Sequence, residues 1–230
     1  MDKLSEYSSL LSSRETMYRF LGRFYRVEVN QDLLKQMQGM SFPAESSDAE
    51  LNQGYRMLEG YLQKLGRDPV TDLAVDYAKV FLGAGMVNAY AAYPYESVYT
   101  SPERLVMQDA RDEVVALYRA KGLDIVNASI FPEDHITLEL EFMSHLCLEA
   151  RGALHAQNLA AAAKSLQEQR AFLAHHLSNW VPDFCTDVEK HAETDFYKAI
   201  AKITAGYLHL ELSLLENLIA EIDTEILCGV

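Results

Sequence analysis

Apolar residues recur along this chain at three- and four-residue intervals in one segment after another, the spacing that gathers them on one face of an α-helix. Met17, Phe20, Leu21, Phe24 and Tyr25 form the first such face, with Ser12-x-x-Glu15 as a capping box at or inside the start of the helix. Leu33, Leu34 and Met37 mark a short second helix. Ser47-x-x-Glu50 opens a third, striped by Leu51, Tyr55, Leu58, Leu62 and Leu65. Asp68-Pro69 reads as N-cap and first helical residue of a helix carrying Leu73, Tyr77, Val80 and Phe81 to a stop at Gly83 and Gly85.

Ser101-Pro102 repeats that device, and the helix it opens would carry Leu105, Val114, Val115 and Tyr118 to Gly122. After Pro132, Ile136, Leu140, Met143, Leu146 and Cys147 share a face towards Gly152, and the alanine-rich stretch 156–178 is helical on propensity. A short helix around Pro182 to Lys190 and a long one striped by Phe196, Ile200, Ile203, Tyr207, Leu210, Leu214 and Leu218 complete the chain. The six prolines fall between these segments or in their first turns, where a missing N–H costs least. Asp124 to Phe131 holds Ile125, Val126 and Ile130, but a lone strand has nothing to pair with.

The expected fold is all-α: a single-domain bundle of about nine to eleven helices over residues 1–230, with an N-terminal lobe over about 1–100 and a C-terminal lobe over about 101–230. The first 65 residues have the pattern to pack semi-separately. Long helices joined by a movable hinge can exchange between subunits, so a monomer and an exchanged homodimer both suit the pattern.

A 49% hydrophobic and 23% charged composition is that of a globular chain. The net charge of −14 argues against a general nucleic-acid binder, which needs clustered Lys and Arg, and leaves a basic partner open. No apolar run approaches the ~20 residues that cross a bilayer, so no stable membrane insertion is expected. The start, Met1-Asp2-Lys3-Leu4-Ser5-Glu6, lacks the basic and apolar regions of a secretory signal, which makes the cytoplasm the expected compartment. Cys147, Cys185 and Cys228 are odd in number and far apart, the pattern of small buried hydrophobes rather than a disulfide framework.

Two places carry chemistry. Leu82 to Ser101 has no helical period, is long for a loop in a helical domain, and holds Tyr90, Tyr93, Tyr95 and Tyr99 with Met86 and Val87, Glu96 being its one charge. Such a loop either packs into a groove or presents one. The second place is Pro132-Glu133-Asp134-His135, where Asp134 is positioned to cap the following helix and His135 to sit on its first turn. Glu141 and His145 are one turn apart but belong to no metal-ligand run, and no Walker-type phosphate loop is present, so neither metal nor cofactor is expected. His155, His175 and His176 fall in the alanine-rich helix and are expected to be exposed. Trp180 with Val181-Pro182 reads as a packing anchor between two helices.

At these places the chain resembles the TorD/DmsD family of redox-enzyme maturation chaperones, with the nitrate reductase chaperones as more distant relatives. The resemblance rests on Tyr77-Ala78-Lys79-Val80-Phe81-Leu82-Gly83, then Tyr93-Pro94-Tyr95-Glu96-Ser97-Val98-Tyr99, then Pro132-Glu133-Asp134-His135. Asp183-Phe184 and Thr194-Asp195-Phe196-Tyr197 extend it, so that it spans roughly residues 70 to 220. Tyr77 and Tyr95 stand where some members carry Trp, as does Gly85.

The resemblance implies a TorD-like, all-α cytoplasmic chaperone without an active site. Its partners would be the twin-arginine leader peptide and the apo form of a molybdopterin oxidoreductase, held back from export until its cofactor is inserted. The family's peptide-binding positions carry over to Tyr77, Val80, Pro94, Tyr95, Ser97, Pro132, Asp134 and His135. Glu96 and Tyr99 join them on chemistry, because a leader with a basic start and an apolar stretch needs an apolar groove with carboxylates at one end. Glu96, Asp134 and Asp76 are the candidates for that end. Two other readings stand beside this one: a small helical hydrolase or nucleotide-dependent enzyme using Glu96, Asp134 and His135, and a purely structural helical adaptor.

Overall fold

In the computed structural model, which describes residues 3–85, 91–123 and 131–228, the helical periodicity becomes ten α-helices and one π turn among the described residues. They are α1 (Lys3–Arg26), α2 (Gln31–Gln38), α3 (Ala49–Gln63), α4 (Pro69–Leu82), α5 (Glu96–Thr100), α6 (Asp109–Ala120), α7 (Ile136–His155), α8 (Leu159–Phe172), the π turn (Leu173–Leu177), α9 (Ser178–His191) and α10 (Asp195–Cys228). The expectations on Met86, Val87, Tyr90, Ile125, Val126, Ile130 and the Cys228 side chain lie outside the described residues. No strand occurs among the described residues; one isolated antiparallel bridge joins Tyr95 to His135.

Several boundaries differ from the sequence expectation, each for a local reason. Asp68 and Pro69 open α4 as expected, the Asp68 carboxylate accepting from the Thr71 amide. The cap of α3 is Asp48, not Ser47, because its carboxylate reaches the Leu51 amide at 2.8 Å. Ser12 and Glu15 lie well inside α1. Ser101-Pro102 opens no helix: α6 starts only at Asp109, and Leu105 is left in solvent. The loop after Leu82 contains the short helix α5. The alanine-rich segment and the helix around Pro182 are one nearly continuous rod, with the wider π turn directly before α9 and Pro182 inside α9. Proline removes one N–H and crowds the preceding turn, so a rod carrying both features departs from straight α geometry there.

α1 lies along α7 and α3 along α10, so the first and last thirds of the chain share one core running from Tyr7 to Ile222. Two glycines allow the α3–α10 approach. A Cβ on Gly54 would stand 2.7 Å from Ile203 Cγ1, and one on Gly206 would stand 2.5 Å from the Leu51 amide. α1, α8 and α10 are also joined by buried polar groups. Arg14 Nη2 donates to Glu211 at 2.7 Å, Arg14 Nη1 to Gln169 at 2.7 Å, and the Tyr18 hydroxyl to Glu211 at 2.6 Å. Cys147 and Cys185 are buried and reduced, as expected, and burial pushes the Cys147 thiol up to about 12. No helix among the described residues is long and apolar enough to cross a membrane.

Candidate functional site: a bridged loop joint

The two sequence segments singled out above, separated by more than thirty positions, meet in space. The Glu96 amide donates to the Asp134 carbonyl at 3.0 Å and the Ile136 amide to the Pro94 carbonyl at 2.9 Å, a reciprocal pair that clamps the loop to the start of α7. The loop's other end is tied to α4, where the Ala92 amide donates to the Val80 carbonyl at 2.9 Å. Gly83 ends α4 with φ at +71°, and a Cβ there would stand 2.7 Å from the Tyr93 hydroxyl.

The roles of Asp134 and His135 are exchanged relative to expectation. His135 is the N-cap of α7, its Nδ1 accepting from the Thr137 amide at 3.1 Å. Asp134 instead accepts from the Ser97 amide at 2.9 Å and so caps α5, the helix across the joint. An Nδ1 that accepts leaves the ring proton on Nε2, and burial, with a contribution from the positive Arg26, pushes the His135 imidazole down to about 3. The ring is packed between Phe131, stacked at 4.1 Å, and Tyr95, edge-on at 5.0 Å. Asp134 Oδ1 is buried without a hydrogen-bond partner.

Beneath the joint lies a second layer. Glu96, 2% exposed, receives the Nδ1 side of His176 at 2.9 Å. His176 is itself 5% exposed, which corrects the expectation of a solvent-facing residue: the π turn rotates it inward to α5. Glu139 is fully buried beside Glu96 and accepts from Trp180 Nε1 at 3.1 Å. Burial first, and then the Glu96 charge, push the Glu139 carboxyl well above the usual carboxylate range. Trp180 thus anchors α9 to α7 as expected, and adds a hydrogen bond to the packing.

The candidate residues divide by accessibility. Tyr95, Tyr99 and Pro132 are half-buried, whereas Pro94, Glu96, Ser97, Asp134 and His135 are buried in the joint. Tyr77 and Val80 face the core: the Tyr77 hydroxyl donates to the Tyr25 carbonyl at 3.0 Å, and its ring packs on Phe81. The proposed anionic end is not at the surface. Glu96 and Asp134 serve as just described, and Asp76 accepts from the Glu193 and Thr194 amides and the Thr194 hydroxyl, tying α4 to the start of α10. With Glu96, Asp134 and His135 all buried, the hydrolase reading lacks an accessible acid–base pair. Among the described residues no three His, Cys, Asp or Glu side chains converge as a metal site would need.

Sequence reasoning missed Glu139, His176 and the cleft under Tyr99. Tyr99 stacks on Trp180, donates to Asp187 at 3.3 Å and lines an open cleft with Ser101, Arg104, Asp183 and Thr186. Asp183 and Asp187 sit one helical turn apart, a spacing visible in the sequence, but nothing there places them beside Tyr99.

Residues 44–186 match the nitrate reductase delta subunit family. The chaperone protein TorD of Shewanella pealeana is 26% identical over 89% of this chain and 90% of its own length. TorD from two Vibrio cholerae O1 strains is similar: the classical Ogawa strain protein is 30% identical over 67% of each chain, and the El Tor Inaba protein 27% over 95% and 99%. A crystal structure from Archaeoglobus fulgidus, of a protein named for redox enzyme maturation, is a distant likeness at TM-score 0.45 and 20% identity, covering 88% of this chain and 93% of that one. The chain belongs to the nitrate reductase delta subunit family and, with its TorD relatives, to the chaperones of that family.

Proposed function

We propose that this chaperone works in the cytoplasm on a molybdopterin-containing oxidoreductase. It binds the twin-arginine signal peptide, the cofactor-free enzyme or both, and holds back export until the cofactor is inserted. The observation that carries the reading is the reciprocal bridge between Pro94–Glu96 and Asp134–Ile136, which fixes Tyr95 over His135 while leaving Tyr95 and Pro132 half-open. Rigid tyrosine and proline surfaces grip a peptide with little loss of side-chain freedom. Tyr93, 36% exposed, continues that surface.

In this arrangement Tyr93, Tyr95 and Pro132 contact the peptide. Asp134, His135, Glu96 and Ser97 are positioning residues: Asp134 caps α5, His135 caps α7, Glu96 meets His176 on the π turn, and the Ser97 hydroxyl accepts from the Gln108 amide ahead of α6. Calorimetry with the leader peptide of a molybdoenzyme tests the reading. Wild-type chain is expected to bind in the micromolar range or tighter, and Tyr95→Ala, measured well below its own melting temperature, to weaken binding at least tenfold. Absence of binding to any twin-arginine leader, or wild-type affinity in Tyr95→Ala, would refute it.

A further inference from the structure

We infer that the cleft beneath Tyr99, together with the exposed turn beside it, seats an arginine of an extended peptide and the apolar residues that follow it. The inference rests on the leader-binding reading and adds where the cation goes, since the carboxylates of the bridged joint are buried.

The turn between α5 and α6 is unusual in two ways. Arg104 and Met107 hold φ at +53° and +61°, a backbone that side chains with a Cβ rarely adopt. This conformation turns three consecutive apolar side chains outward, Leu105, Val106 and Met107, which are 57%, 42% and 58% exposed. Contiguous exposed apolar residues beside polar groups mark interaction sites.

The adjoining open cleft, of about 370 Å³, is lined by Tyr99, Ser101, Arg104, Asp183, Thr186 and Asp187. It already holds a guanidinium of the chain's own. Arg104 Nη2 lies 3.5 Å from Asp187, and the same guanidinium stands over the Tyr99 ring at 5.4 Å from its centroid. Asp183, one turn earlier on α9, is exposed and makes no ion pair among the described residues. The Ser101 hydroxyl is buried at the cleft without a hydrogen-bond partner. The open Asp183 carboxylate suits a guanidinium better than an ammonium, because the planar fork pairs with both carboxylate oxygens at once, and the chain's own Arg104 shows a guanidinium accommodated in the same cleft. The partner is therefore a basic peptide whose arginine meets Asp183 and whose next apolar residues cover Leu105 to Met107. The net charge of −14 favours its approach.

Fluorescence anisotropy with a labelled leader peptide, carrying paired arginines ahead of an apolar run, tests this. Four chains are compared: wild type, Asp183→Asn, the triple variant Leu105→Ser/Val106→Ser/Met107→Ser, and Tyr95→Ala. The substituted cleft and turn residues are exposed, so circular dichroism and melting temperature are expected to match wild type. Asp183→Asn is expected to weaken binding about tenfold and to erase the preference for the peptide over its lysine-substituted twin. The triple variant is expected to weaken both peptides alike. If wild type binds and both variants bind equally well, the cleft inference is overturned while the leader-binding reading stands. If wild type binds no leader, both fail. Should sedimentation show that the triple variant abolishes a dimer while peptide binding is unchanged, the turn is a contact between copies of the chain and the inference is likewise overturned.

Discussion

The Nδ1 of His176 lies 2.9 Å from a carboxylate oxygen of Glu96, although the two residues are eighty positions apart. This pair fastens the loop helix α5 to the π turn, and it stands next to Glu139, so α5, α7 and the rod of α8 and α9 converge on one buried polar cluster. The surface that would grip a peptide is thus fixed from beneath by groups that never reach solvent.

Removing His176 leaves the Glu96 carboxylate buried without its partner and beside a second acid. His176→Leu is expected to destabilise the fold by roughly 3–5 kcal/mol, the cost of an uncompensated buried charge. Denaturant unfolding measures the loss, and hydrogen exchange is expected to show faster exchange of the α5 amides than of those in α1. His176→Gln, which keeps a donor, is expected to lose less. A melting temperature equal to wild type in His176→Leu would show that the pair does not hold α5.

Stability is expected to follow pH in two opposed steps. His135 is pushed down from 6.5 to about 3, so between those values the unfolded chain binds the proton that the folded chain refuses. This contribution is complete above about pH 6.5 and is lost as pH falls towards 3, with a limiting slope of ~1.4 kcal/mol per pH unit. Glu139 acts the other way. Its folded carboxyl titrates well above 4.5, so its contribution is complete below pH 4.5 and is lost as pH rises. Urea unfolding from pH 3 to 8 is expected to show a flattened acid limb in His135→Asn and a flattened neutral limb in Glu139→Gln. Parallel profiles for wild type and both variants would contradict the assignment.

The Arg14–Glu211 pair, with side chains 3% and 2% exposed, is expected to behave as a buried unit. Arg14→Met alone should cost ~3–5 kcal/mol, whereas Arg14→Met/Glu211→Leu should recover most of it, because both desolvated charges are then gone. A double-mutant cycle in guanidinium supplies the number. Additive losses would mean that the two charges do not depend on each other.

Two helical glycines are expected to respond with opposite signs. Gly206→Ala drives a Cβ to 2.5 Å from the Leu51 backbone, which cannot yield cheaply, and overpacking of that kind costs ~1–3 kcal/mol. Gly60, on the exposed face of α3, has nothing within 4 Å of the added Cβ. Gly60→Ala is therefore expected to stabilise by ~0.5–1 kcal/mol through helix propensity. Calorimetric melting of the two variants decides it; a gain in Gly206→Ala would mean that α3 and α10 can part.

The helices of this chain are legible from neighbouring residues, because periodicity, capping residues and prolines act over a few positions. The stripe from Phe196 to Leu218 and the Asp68-Pro69 start are read from neighbours alone, and each became a helix. The meeting of the tyrosine loop with Pro132-Glu133-Asp134-His135 was visible only through family resemblance. Local chemistry made Asp134 the cap of its own helix, yet the nearest unpaired amide in space belonged to Ser97. The tertiary structure alone decided that exchange, as it decided the inward turn of His176, where a π turn before Pro182 shifts the register and no nearby residue signals a carboxylate eighty positions away. It also decided which acids are spent and which remain open. Glu96, Asp134 and Asp76 look equivalent to Asp183 as sequence, but the first three are desolvated and used to join helices, and Asp183 stays in water because α9 carries it on its outer face.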